Sequence, residues 1–462
     1  MGSKRQSAAE VPANLRELLD WQFAERDDQA VAQALHHGQG VAAVYGLDDA
    51  GLLDGFFAFL DETGIKAHWQ TLVLAGVRHV FLPAMLFVLL YGTRVLFGSE
   101  SSNALPALLF SNVAAMTLIG CNAHQVADGM SRRGAKQRTA VSEYTLMDPQ
   151  TLANAVCKIS TAALQDLFNG TIRALAAFGG FMAEVMVAGD GTRIVTAPTF
   201  QGCGKPAVSE SQRNRRGLQG AVIQLLVGWR LIALLDLRTL IPLAIQSVPI
   251  QAHEAPYLGA LVEQAQANLA PHSRLSRLVI DRAYGDGASL HALHELGITF
   301  VVLAKAHMVV RKVALAAQAG TTLYERTETV RRGHGREATT EVWVVRVRGV
   351  SGLRHWDAFR PPVAAGRPLR WAPRPVLHAV IVNLWRNRTP APDGARVYLT
   401  NATVSDPWAV VDGYADRSWI ENGLFRNSQQ FWRLTRWFPQ KTAAGVPSHL
   451  TFVVMLLAVA TA

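Results

Sequence analysis

The chain has 462 residues, of which 50% are hydrophobic and 17% are charged, and it carries a net charge of +10. This composition excludes a disordered protein and has room for two to four domains at about 150 residues each. The three cysteines, Cys121, Cys157 and Cys203, form no CxxC pair. We therefore expect neither a disulfide framework nor a structural zinc site, and we expect a reducing, cytoplasmic setting.

Three charge-free apolar stretches, His79–Thr93, Ala104–Cys121 and Leu450–Ala462, raise the question of membrane insertion. A bilayer-spanning helix needs about 20 predominantly apolar residues. All three stretches are shorter than that, and Pro106, Ser111 and Asn112 also interrupt the second. The sequence therefore predicts buried core helices and no membrane partner.

The positive charge is concentrated in residues 301–390, which contain 16 basic and five acidic residues and so carry a net charge of +11. Arginine predominates there, and its forked guanidinium group suits contacts with phosphate. This asymmetry indicates a polyanionic partner, most simply nucleic acid. Arg326, Arg331, Arg332 and Arg336 are the candidates for contacts with the DNA backbone. The alternative is a solvated surface on an arginine-rich chain.

Residues 1–180 are predicted to form a helical N-terminal domain, because their apolar residues recur at helical spacing. Asp148-Pro149 is a typical helix start, since Asp is a good N-cap and Pro suits the first turn. The predicted helices are Leu15–Phe23, Leu52–Leu60, His68–Phe97, Leu105–Ile119, one from Asp148 and one at Thr161–Phe178.

From residue 181 to 462 the pattern changes to that of a mixed α/β domain, with a sheet covered by helices. The predicted strands are 181–188, 221–229, 231–248, 275–280 and 299–303, and the predicted helices are 254–269 and 287–296. Residues 306–400 contain further strands at 342–347, 376–383 and 396–399, separated by Gly/Pro/Arg-rich loops. We interpret this segment as a β-rich insertion, after which helices return from residue 407.

Three carboxylates are candidates for a shared site. Asp190 and Asp281 each follow an apolar strand, and the carboxyl ends of strands are where open α/β sheets bind ligands. At about 100° per residue, Glu421 shares one helix face with Tyr414 and Arg417. Three carboxylates form a site suited to Mg²⁺ or Mn²⁺. Two such ions can drive phosphodiester cleavage.

These residues lie in segments that resemble the three signatures of the DDE transposases of bacterial cut-and-paste insertion sequences. The segments are Val187-Ala-Gly-Asp190-Gly-Thr, Val279-Ile-Asp281-Arg-Ala-Tyr284 and Tyr414-Ala-Asp-Arg417-Ser-Trp-Ile-Glu421. The resemblance implies an RNase H-like catalytic domain with a β-rich insertion before the glutamate, preceded by an all-α domain that binds DNA ends. It also implies a metal-dependent nuclease and strand transferase that works on transposon ends.

The resemblance assigns a role to each residue. Asp190, Asp281 and Glu421 would be the catalytic metal ligands, with Mg²⁺ or Mn²⁺ as cofactor, and Tyr414 and Arg417 would hold phosphates of the DNA. The implied partners are double-stranded DNA, both transposon ends and target, and a second copy of the chain in a synaptic complex. The implied location is the bacterial cytoplasm, at the nucleoid when the enzyme acts.

Two points stay open at this stage. The family has a lysine where this chain has Ser428. On a continuous helix Ser428 would face the same side as Glu421, and a lysine placed there would raise the cleavage rate unless Arg436 substitutes for it. A catalytically weakened DNA-binding derivative is therefore one alternative, and a host nuclease of the same fold is another. In the family an aromatic residue of the insertion stacks on a displaced base, and the candidates here are Trp343, Trp356, Trp371 and Trp385.

Overall fold

A computed structural model of the chain describes residues 28–40, 51–74, 82–99, 101–122, 125–126, 146–204, 226–332, 339–361, 375–386, 389–390 and 394–462. The chain divides into two compact units. The helical unit comprises residues 1–178, 194–229 and 427–462, and the sheet unit comprises residues 179–193 and 230–426. Residues 194–229 and 427–462, which lie beyond the predicted boundary at residue 180, fall in the helical unit of this division.

Helices make up most of the described part of the helical unit and also flank the sheet. Their bounds are α1 Asp28–His36, α2 Leu53–Glu62, α3 Ile65–Gln70, α4 Ala84–Leu96, α5 Val113–Ile119, α6 Pro149–Lys158, α7 Thr161–Ala177, α8 Leu258–Leu269, α9 Gly287–Glu295, α10 Val309–Ala317, α11 Pro407–Ala415, α12 Asn427–Gln430 and α13 Gly445–Thr461. The predicted start at Asp148 is confirmed, since its side chain accepts the Gln150 N–H at 2.8 Å. Ser160 caps α7 in the same way through the Ala163 N–H, at 3.1 Å.

The core of the helical unit is formed by two apolar helices. In α4 every residue from Ala84 to Arg94 is buried, and α13 is buried from Gly445 to Val459 except at Thr451, which is half-buried. The two helices approach closely, because a Cβ added to Gly92 would lie 3.2 Å from Leu456. A helix that is apolar all round is stable only inside a core, which explains why α13 packs with α7 and α4 although it is distant from them in sequence.

No single helix in the described ranges is long and apolar enough to cross a membrane. One bent pair, Ser102–Phe110 with Val113–Ile119, meets the length and composition criteria together across a bend of 98°.

A hydrogen-bonded chain crosses the core of the helical unit. The Tyr91 hydroxyl lies 2.8 Å from Nδ1 of His449, whose Nε2 lies 3.1 Å from the carbonyl of Arg433. Because a carbonyl can only accept, Nε2 carries the proton and Nδ1 accepts from the tyrosine. His449 is thereby fixed as a neutral imidazole, and burial lowers its pKa to about 4.

The strands form one mixed sheet. Their bounds are β1 Glu184–Val195, β2 Gly228–Asp236, β3 Pro242–Pro249, β4 Arg274–Ile280, β5 Thr299–Leu303, β6 Leu323–Arg332, β7 Thr339–Leu353, β8 Leu377–Arg386, β9 Thr389–Pro390 and β10 Arg396–Thr400. The order is β3-β2-β1-β4-β5-β10-β8-β7-β6, with β9 paired to β8. β1, β4 and β5 are parallel, whereas β10, β8, β7 and β6 are antiparallel to their neighbours. The predicted mixed α/β fold class is confirmed.

The insertion continues this sheet instead of forming a separate layer. β10 joins β5 on one side and β8 on the other, so β8, β7 and β6 extend the sheet outward from β5. One apolar cluster includes Val279 of β4, Val301 of β5, Val347 of β7, Val380 of β8 and Tyr398 of β10. The insertion therefore shares a core with the strands that carry the candidate site.

We predict that acidification destabilises the helical unit through His449. The unfolded chain protonates this imidazole near pH 6.5, whereas the folded chain does so near pH 4. The unfolded state therefore binds more protons in that interval, and the free energy of unfolding should fall by up to about 3 kcal/mol as the pH drops from 7 to 4. Denaturant unfolding of the wild type and of His449→Gln at several pH values measures the difference.

Glutamine keeps one donor and one acceptor but does not titrate, so its curve should be flatter between pH 7 and pH 4. Parallel curves for the two proteins would contradict the assignment.

Candidate active site

The two candidate aspartates are placed side by side by strand register. β1 and β4 run parallel, and their last paired residues are Gly189 and Ile280. Asp190 is the next residue of β1 and Asp281 directly follows the end of β4, and neighbouring strands lie about 4.8 Å apart. β1 continues to Val195, so Asp190 lies within a strand and not at its end as predicted. Both aspartates nevertheless lie at the same edge of the sheet, because each directly follows one residue of the pair Gly189 and Ile280.

Gly189 makes this register possible. A Cβ at this position would lie 2.9 Å from Cγ2 of Ile280 and 3.0 Å from Cδ2 of Leu234, on the neighbouring strands. Any side chain would therefore push the strands apart directly before Asp190.

Glu421 and Arg417 come from a helical segment that is less regular than predicted. Asp406 caps α11, which ends at Ala415, and Glu421 lies in a π-helical segment, Ile420–Arg426. A single helix from Tyr414 to Ser428 was therefore the wrong expectation. Arg417 lies in the turn between the two segments.

The guanidinium group of Arg417 connects two of the three candidate carboxylates. One terminal nitrogen forms an ion pair with Oδ2 of Asp190, and the other lies 2.7 Å from Oε1 of Glu421. Asp190 and Glu421 are thus separated by a single guanidinium group. Asp281 lies near enough to raise the pKa of Asp190 by charge repulsion. The structure therefore brings Asp190, Asp281, Glu421 and Arg417 together at one edge of the sheet.

The environment of Asp190 disfavours the charged form of its carboxyl group, chiefly because that group is buried. Burial raises its pKa to about 7, with further increases from Glu254 and Asp281, against the lowering effects of Arg417 and of the Gly191 N–H. That N–H donates to Oδ1 of Asp190 at 2.8 Å. Arg417 offsets the effect of burial only in part, so a further cation beside Asp190 would favour the ionised carboxylate.

Two observations test whether the site fits a divalent cation. Within the described ranges, no three His, Cys, Asp or Glu side chains are arranged as a ready set of metal ligands. The donor chemistry nevertheless fits, because the converging oxygens are all carboxylate oxygens. A bound cation would also stabilise the ionised form of Asp190. Arg417 supplies the cation between Asp190 and Glu421 in the present arrangement.

Glu254 is a fourth carboxylate that sequence analysis missed. It precedes α8, is 9% exposed, and forms an ion pair with Arg230 of β2. A Cβ on Gly191 would lie 2.9 Å from the Glu254 carboxyl carbon, so the glycine after Asp190 makes room for it. The sequence did not single out Glu254, because acidic residues are common near helix starts. The signal that the sequence did offer was Arg230, a basic residue within an otherwise apolar strand, which calls for an acidic partner.

Tyr414 lies beside the site and packs on the shared core. Its ring centroid is 4.7 Å from that of Tyr398, and the Arg417 guanidinium lies 5.8 Å from its ring centre. Burial raises the pKa of Tyr414 to about 12, so its hydroxyl stays protonated and can donate a hydrogen bond. Tyr414 and Arg417 thus present neighbouring donors.

A cavity of about 470 Å³, here termed the aromatic cavity, opens between the insertion and α11. Its lining includes Trp343, Trp408, Tyr398, Tyr414 and Arg417.

The tryptophan candidates differ in their surroundings. Trp343 lines the aromatic cavity, while Trp385 lines a different one and has the Arg346 guanidinium 5.0 Å from its ring centre. Trp356 stacks on Phe359 at 6.0 Å. Trp371 lies outside the described residues.

The predicted DNA-binding arginines of the insertion are only partly described. Arg326, on β6, makes a two-fold contact with the carboxylate of Asp412, at 3.1 Å for each bond, and stacks 4.0 Å from the ring centre of Trp408. The backbone of Arg331 and Arg332 lies in β6, and Arg336 lies outside the described residues. Contacts of these four residues with DNA remain a prediction.

Ser428 does not have the environment that a phosphate-contacting lysine would need. It lies in α12, is fully buried, and its carbonyl accepts the Leu434 N–H at 2.9 Å. A lysine here would bury its ammonium group, so the expected gain from lysine does not apply to this chain. Arg436 is in a turn beyond the end of α12, so the helical projection that favoured it does not hold.

Comparison with known proteins identifies the family. The chain is similar in structure to the piggyBac transposase in its synaptic complex with hairpin DNA, with a TM-score of 0.38 and 10% sequence identity over 89% of this chain and 75% of that chain. No significant match was found among curated proteins. A family model described as "Transposase DDE domain" matches residues 188–443, which is more than half of the chain. The chain therefore belongs to the DDE transposase domain family.

Proposed function

We propose that this protein cuts and joins the DNA ends of its own insertion sequence by two-metal-ion phosphodiester chemistry. The observation that carries the proposal is the convergence of Asp190, Asp281 and Glu421 around Arg417. The strand order around β1, β4 and β5 supports the RNase H-like catalytic fold. We propose double-stranded DNA as partner and a homodimer as the synaptic form.

Each residue of the candidate site has its own proposed role. Asp190, Asp281 and Glu421 would hold Mg²⁺, or Mn²⁺ in its place, since DDE transposases generally use divalent metal ions. When bound, such ions activate the attacking oxygen and stabilise the leaving oxygen. Arg417 and the Tyr414 hydroxyl would bind phosphate oxygens on either side of the scissile bond. Glu254 and Arg230 would hold the backbone after Asp190 in place.

The aromatic cavity is the proposed place for a base displaced from the duplex. It lies next to Tyr414 and Arg417, so a nucleotide beside the cleaved bond can reach it. Trp343 is the candidate of the insertion that lines it, and bases stack on aromatic side chains without regard to sequence.

We predict that Asp190→Asn, Asp281→Asn and Glu421→Gln each abolish excision but leave DNA binding nearly intact. The amides keep the shape of the side chain but remove the negative charge that holds the cation. Loss of one charge-stabilising group in an active site costs about 10²–10³-fold in rate or more. The measurement is excision of a marker flanked by the DNA that borders this gene, in parallel with binding to the same DNA.

Glu263→Gln is the matched control, because Glu263 is an exposed carboxylate of α8. Excision at a normal rate by any one of the three variants would remove that residue from the catalytic set. Cleavage of unrelated DNA without dependence on the flanking sequences would favour the host-nuclease alternative.

We also predict that Trp343→Ala weakens binding to DNA that carries a displaced base, whereas Trp343→Phe restores most of it. Stacking on an aromatic ring contributes about 1–3 kcal/mol per base, so the affinity should fall by at least about fivefold. Fluorescence of 2-aminopurine placed next to the cleavage position reports the stacking directly. Trp385→Ala is the control because Trp385 lines a different cavity.

Equal losses in the Trp343→Ala and Trp385→Ala variants would show that the effect is structural and not due to stacking on the displaced base.

A further inference from the structure

A second cavity, of about 580 Å³ and here termed the arginine cavity, lies beside Asp281. Its walls come from the ends of three strands and from two helices. Asp281 and Arg282 follow β4, residues 303–306 end β5, Arg311 belongs to α10, and residues 395–398 begin β10. It shares its remaining wall with the aromatic cavity, through Arg396, Tyr398, Tyr414 and Arg417.

Positive charge predominates in the lining of the arginine cavity. Arg282, Arg311, Arg396 and Arg417 line it, and among its lining residues, all in the described part of the chain, Asp281 is the single carboxylate. The cavity lies at the end of the candidate active site, next to the carboxylate that would hold a cation there. Such a place attracts a polyanion.

Three of the four guanidinium groups can still contact a ligand, whereas that of Arg417 is paired with Asp190 and Glu421. Arg282 and Arg396 are solvent-exposed, and Arg396 also forms a hydrogen bond with the Tyr398 side chain. Arg311 donates one hydrogen bond to the carbonyl of Ala395, at 2.9 Å, which leaves further N–H donors on the same group. Arg326 of the insertion, by contrast, is already held by both oxygens of Asp412.

The size and the lining of the cavity favour a single strand over a duplex. A space of about 580 Å³ is far too small for a B-form duplex, whose major groove alone is about 12 Å wide. Leu303 supplies apolar surface and the half-buried Tyr414 supplies an aromatic ring, whereas Val397 and Tyr398 in the same wall are buried. Proteins bind single strands with this combination of positive charge along the backbone and rings for the bases.

We propose that the arginine cavity binds the phosphates of an unpaired DNA strand that continues from the aromatic cavity past Asp281. This inference rests on the proposed function, because it assigns the path of the strand through the same site. Arg282, Arg311 and Arg396 contact its phosphates. The chain therefore binds a strand that has separated from its complement next to the cleaved bond.

The test uses the full-length protein in EDTA, with a fluorescein-labelled (dT)12 oligonucleotide and a duplex of arbitrary sequence as probes. Equilibrium binding is measured by fluorescence anisotropy at several salt concentrations. The variants are Arg282→Ala, Arg396→Ala and Arg311→Ala, each checked for folding by its thermal unfolding. Arg354→Ala is the control, because Arg354 is exposed and does not line the cavity.

Each cavity variant should weaken (dT)12 binding by about five- to tenfold and flatten the slope of log affinity against log salt by about 0.7, the contribution of one single-strand phosphate contact. Duplex binding should change less than twofold, and Arg354→Ala should behave as wild type. If Arg311→Ala unfolds, the two exposed arginines still decide the question.

The proposal is overturned if (dT)12 does not bind, if the cavity variants keep the wild-type slope, or if Arg354→Ala has the same effect. It is also overturned if duplex binding falls equally, since the arginines would then form a general basic surface. Normal excision together with any of these results would leave the proposed function in place and remove only the strand path.

Discussion

The site depends on the register between β1 and β4. Because the two strands are parallel and Gly189 pairs with Ile280, Asp190 and Asp281 must emerge next to each other. A slip of one residue would turn one of the two side chains to the opposite face of the sheet. The absence of a side chain at Gly189 allows β1 to lie close to β2 and β4 at this register.

Arg417 takes part in two proposed interactions of the site, one with the carboxylates that would hold the cation and one with the DNA. Its guanidinium group now lies among carboxylates, yet a phosphate oxygen offers the same forked geometry. A divalent ion that joins the carboxylates would weaken the hold of Asp190 and Glu421 on this side chain. The arginine would then be available to the DNA, so cation and DNA binding would favour each other.

Several parts of the architecture could be predicted because they depend on local sequence. The apolar runs before Asp190 and Asp281 identified strands, and Asp148-Pro149 identified a helix start. β6 was missed, because half of its ten residues are charged and it has no apolar face. A charged strand of this kind suits the exposed edge of a sheet, which is where β6 lies.

Other features depend on contacts between distant parts of the chain and so could not be predicted. The ion pair of Glu254 with Arg230, the grouping of α13 with the N-terminal helices and the irregular helix around Glu421 are of this kind. Helical projection failed at Ser428 for the same reason, since it assumes an uninterrupted helix.

The contact of Arg326 with Asp412 and Trp408 fastens the outermost strand of the sheet to the helix that carries Tyr414. The insertion is therefore a brace for that helix, whatever it contributes to DNA binding. α11 also packs on the shared apolar core through Val410, Val411 and Trp408, so a relative that had lost β6 in evolution would keep the buried contact of this helix and lose the exposed one.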